Sequence, residues 1–73
     1  MSTSKQILNF IIKEKARGNT FQELNIQMKI MMKGVNVKGV LEETIPDNSA
    51  LNEKLKEIAK EFDVDMSKMI EVS

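Results

Sequence analysis

Along the first twenty positions, apolar residues return every three to four places. Ile7, Leu8, Ile11 and Ile12 mark one face, and Phe10 widens it, which predicts an amphipathic helix from Lys5 to about Arg17. Ser4 stands where an N-cap belongs. Lys13, Lys15 and Arg17 suit the negative end of the helix dipole, and Gly18 follows as a C′ residue that tolerates the left-handed region. The same period returns between Ala50 and Phe62. There Leu51, Leu55, Ile58, Ala59 and Phe62 form the apolar stripe, and Glu53–Lys56 and Glu57–Lys60 pairs lace the opposite face. Pro46-Asp47-Asn48-Ser49 ahead of it is a turn that ends in an N-cap, either Asp47 or Ser49.

The stretch between these helices carries two patterns at once. As a helix, Thr20-Phe21-Gln22-Glu23 is a capping box in which Thr20 accepts from the Glu23 amide. Phe21, Leu24, Met28, Met31 and Met32 then share the inner face, Ile26 and Ile30 fall on the opposite side, and Lys33-Gly34-Val35 closes the helix with a glycine C′ and an apolar C″. As strands, Leu24, Ile26, Met28, Ile30 and Met32 alternate with polar residues. A Lys33-Gly34 turn would set Met32 against Val35, Ile30 against Val37 and Ile26 against Leu41, with a poor pair only at Met28 and Gly39.

Three observations favour the helix, the first being that both of its ends carry stop signals at the correct offsets. The segment is rich in Leu, Met, Gln, Glu and Lys, with Ile its only β-branched type between Phe21 and Gly34. In addition, Gly34 to Glu42 repeats Asp63 to Glu71 class by class: turn residue, Val, capping residue, apolar, two spacers, two apolars, Glu. A corner that ends one helix and starts another needs that order. Asn36 then caps a short helix bearing Val37, Val40 and Leu41, with Ile45 beyond it and Pro46 marking its end, although Gly39 weakens it. Asp65 caps a last helix from Met66 to about Val72, with Met69 and Ile70 inward. The expected fold is all-α, a single domain over 1–73 built as a small bundle of four to five short helices with helix-turn-helix-like corners. The alternative is α+β, with a 24–32/35–41 hairpin packed on two helices.

Composition narrows the chemistry. Seventy-three residues approach the lower limit for unaided folding, and without cysteine or histidine neither a disulfide nor an ordinary zinc site can reinforce the fold. Six methionines and three phenylalanines, with no Trp or Tyr, predict a methionine-rich core of weakly specified shape, for which self-association would be an advantage. With no histidine or cysteine, no nucleophile elbow and no glycine-rich phosphate loop, a non-catalytic chain without cofactor or metal is expected. Asp63-Val64-Asp65-Met66-Ser67 looks like the opening of a calcium loop, but Lys68 stands where glycine is needed, and helix termination explains the acids better. No apolar run is long enough to span a membrane, no secretory leader follows the first residues, and the lack of cysteine fits the cytoplasm.

Charge is balanced overall but divided. Residues 1–38 carry seven cationic side chains against two acids, whereas residues 39–73 carry four against nine. The two halves can attract each other within the fold or across a homodimer. A domain this small cannot bury every apolar side chain, so Phe21, Ile26, Met28, Ile30 and Met31 are the candidates for a surface that binds another protein or a second copy. The second reading is a helix-turn-helix nucleic-acid binder presenting Lys33, Asn36 and Lys38, weakened by Glu42-Glu43 at the end of its short recognition helix.

Overall fold

The computed structural model describes residues 3–69, and the chain is all-α. Four helices follow one another, α1 (Thr3–Ala16), α2 (Thr20–Met32), α3 (Val37–Leu41) and α4 (Ser49–Glu61), and a single 3₁₀ turn covers Met66–Lys68. No strand forms among the described residues: the segment that could have paired as a hairpin is helical from Thr20 to Met32. Tertiary packing thus followed the end signals and propensity rather than the alternation. Of the last helix expected up to Val72, the structure describes the 3₁₀ turn, and residues 70–72 lie outside the described part.

Helix α1 is the hub, packing against α2, α3 and α4 in turn. Its stripe of Ile7, Leu8, Ile11, Ile12 and Ala16 is buried and meets Ile26 and Ile30 of α2, Val37 and Val40 of α3, and Leu55, Ile58 and Ala59 of α4. Val35 and Val64 close the core from the two corners. Apart from Ser4, the fully buried side chains are aliphatic. No methionine and no phenylalanine is among them: Phe10, Phe62, Met66 and Met69 are partly buried around the rim, and the remaining described ones are exposed. The methionine-rich core read from composition is therefore replaced by one of stiff, branched Ile, Val and Leu. These lose less rotamer freedom on burial than methionine does.

The helix starts follow one rule. Asn19, Asn36 and Asn48 precede α2, α3 and α4, and each side-chain oxygen accepts from the backbone N–H three residues on, at Gln22, Gly39 and Leu51. Two predicted caps are thereby displaced by one residue. Thr20 is the first residue of α2 rather than its cap, and neither Asp47 nor Ser49 caps α4. Asp47 instead works at long range. Its two carboxylate oxygens accept from the Thr3 and Ser4 amides at 2.9 and 3.0 Å, satisfying the start of α1 from the far side of the sequence. Ser4, expected as a cap, lies within the first turn, buried, and its hydroxyl donates to Asn52 Oδ1.

The two similar sequence corners are similar structures. Gly34 (φ 95°) and Asp63 (φ 59°) are the left-handed C′ residues of α2 and α4, and Val35 and Val64 are the buried C″ residues after them. Asn36 and Asp65 then cap the next turn of helix. At the second corner the Val64 amide bonds the Ala59 carbonyl and the Asp63 amide that of Lys60, a complete Schellman motif. Opposite-charge halves also meet at short range where Lys33 Nζ lies 2.8 Å from Glu61 Oε1. On α4 the Glu53–Lys56 pair stands at 3.8 Å.

Candidate interaction surface

The face of α2 turned away from α1 is apolar. Along it Phe21 (81% exposed), Leu24 (55%), Met28 (59%), Met31 (54%) and Met32 (85%) lie open to solvent. The helical rise of 1.5 Å per residue spreads them over about 17 Å. These were the residues expected to face inward. The orientation is reversed: Ile26 and Ile30, expected on the spare side, are 5% and 0% exposed and complete the core against α1. Of the five side chains singled out from sequence for an interface, Phe21, Met28 and Met31 are therefore presented together, whereas Ile26 and Ile30 are withdrawn from any partner. Leu24 and Met32 extend the surface beyond the residues singled out from sequence. The signal that could have found them is side-chain type. Where one helix carries both Ile and Met, the branched residue fits a tightly packed interior at lower entropic cost.

Thr20, Asn25 and Gln27, which border this stripe on α2, are uncharged. At its C-terminal end Met32 runs into an open groove of about 350 Å³ shared with Lys29, Lys33 and Phe62. The apolar surface thus continues from α2 towards the end of α4.

The residues of the nucleic-acid alternative are differently engaged. Lys33 is paired with Glu61, the Asn36 side chain is occupied in capping α3 through the Gly39 amide, and Lys38 is exposed on a helix of only five residues. A helix of that length spans about 7.5 Å, fewer than one and a half turns.

A second depression, about 400 Å³, lies where the end of α1 meets the last corner, lined by Glu14, Lys15, Arg17, Asp63, Val64, Asp65 and Lys68. Three acids and three bases line it. Within it the Asp65 carboxyl is held below its ordinary value, first by the Ser67 hydroxyl at 2.6 Å, then by the Ser67 amide, with Lys68 adding to both. The acids that looked like a calcium-loop opening are thus engaged in ending one helix and starting the next turn. Among the described residues no cluster of three acidic, histidine or cysteine side chains is assembled that could hold a metal ion. No described helix is long and apolar enough to cross a membrane. Set against known proteins, the chain matches no family model, no curated protein and no solved structure.

Proposed function

We propose that this chain is a small non-catalytic interaction module, a regulator or adaptor, that docks through the outer face of α2. One observation carries the reading: five large apolar side chains stand exposed in a row while the core beneath them is complete without them. Burial of one such side chain is worth about 1.5–3 kcal/mol, so five half-exposed ones leave on the order of 5–10 kcal/mol unrealised. That is comparable to the whole net stability of a small domain, at about 5–15 kcal/mol. Contiguous exposed apolar surface on this scale ordinarily marks an interface.

The test is capture by immobilised chain. Partner recovered by the wild type should be lost on Leu24→Glu or Met28→Glu, both of which alter exposed positions, and should be unaffected by Lys38→Glu. Capture that survives both α2 variants would refute the reading. So would binding that is abolished by nuclease, falls steeply with salt and depends on Lys38, which is the signature of phosphate contacts.

A further inference from the structure

Resting on that reading, we infer that the occupant of the α2 face is a second copy of this chain, with α2 packed on α2 about a two-fold axis. Phe21, Leu24, Met28 and Met31 follow one another at intervals of three, four and three residues, and all are exposed. That is the spacing with which apolar side chains of two helices interdigitate, and a surface with it is complementary to itself. The residues bordering the seam, Thr20, Asn25 and Gln27, carry no charge. Along the seam itself two copies therefore bring no like charges together, Lys29 and Lys33 standing only at its Met32 end. The chain as a whole is neutral, with eleven cationic and eleven acidic side chains, so approach of two copies meets no net repulsion.

Five side chains at these exposures present apolar surface on the order of 500 Å², against about 800 Å² contributed by each partner of a standard interface. The polar flank and the Met32–Phe62 groove, which Lys29 and Lys33 also line, would have to supply the remainder. Helix α2 has thirteen residues and runs about 20 Å at 1.5 Å per residue. That is most of the 27 Å longest dimension of the molecule, so the contact would be broad for a chain of this size.

Sedimentation equilibrium of the full chain tests this, over concentrations from about 5 to about 500 µM. The wild type should pass from the 8.3 kDa monomer to twice that mass. Met28→Glu and the milder Met28→Gln should raise the midpoint concentration at least about tenfold, with circular dichroism of the dilute protein unchanged. Added sodium chloride should leave the midpoint unmoved or lower it. A wild type that remains monomeric throughout would overturn the inference. So would a dimer that ignores Met28→Glu, or one that dissociates with salt as pairing of the basic and acidic halves would. A monomer that still captures a different protein through α2 would remove the homodimer and leave the interaction module standing.

Discussion

Ile30 and Met28 stand two places apart on one helix, and their environments assign them opposite roles. Ile30 is fully buried against α1, and truncation to alanine leaves a cavity that α1 cannot fill. Equilibrium denaturation should register a loss of about 2–4 kcal/mol for Ile30→Ala. Met28→Ala in dilute protein should change stability by no more than about 0.5 kcal/mol. Equal costs at the two sites would mean that the helix is rotated from the arrangement described. Gly39 poses the reverse problem. In sequence it reads as a weakness in α3, yet a Cβ built there lies 2.5 Å from Ile45 Cδ1, 2.8 Å from its Cγ1 and 3.0 Å from the Asn36 amide that caps the helix. Alanine would gain about 1 kcal/mol in helix propensity. Displacing Ile45 and loosening the cap costs more, about 1–3 kcal/mol for overpacking, so Gly39→Ala should lower the melting temperature. The added change Ile45→Ala should remove that specific clash, so its cost should be smaller in the Gly39→Ala background than in the wild type.

At the scale of elements, the repeated corner is the clearest case of structure legible in sequence. The order of residue classes from Gly34 and from Asp63 announced a left-handed stop, a buried valine and a new cap, and each is found. The second corner makes do with aspartate where the first has glycine, holding a side chain at φ 59° beside the negative end of α4. Asp63→Gly should therefore stabilise the chain by up to about 1 kcal/mol, measured as a shift of the urea midpoint at constant m-value. The helices α1 and α4 were equally legible, because each has a single apolar stripe. What could not be read was the rotation of α2. Both its faces are apolar, and counting residues favoured Phe, Leu and Met over two isoleucines. The choice belongs to α1, whose branched stripe accepts Ile26 and Ile30, and no local pattern records that. Asn36 and Asp65 cap where the sequence placed them, but the caps of α2 and α4 were misplaced for a related reason. Asn, Asp, Ser and Thr are near-equivalent caps, and Asp47 was unavailable to α4 because it serves α1.

For the molecule as a whole, that service by Asp47 is a fastening. Its carboxylate joins the approach to α4 to the first turn of α1, and the Ser4–Asn52 hydrogen bond lies beside it. Asp47→Ala frees at least two amides at the start of the hub helix. It should cost about 1–2 kcal/mol, with faster amide exchange at Thr3 and Ser4 as the local readout. Asp47→Asn, which keeps one carbonyl acceptor, should fall between. The two-faced helix has a further consequence, for the route by which the chain reaches its fold. While it collapses, α2 offers α1 two oily sides of similar appeal, and docking the wrong one yields a compact species that must let go before it can turn over. Refolding should thus slow below the linear trend at low denaturant, as a trapped population forms. Replacing Met28 and Met31 together by glutamine should straighten that limb of the chevron, making the chain a faster folder at the expense of the surface it shows to others.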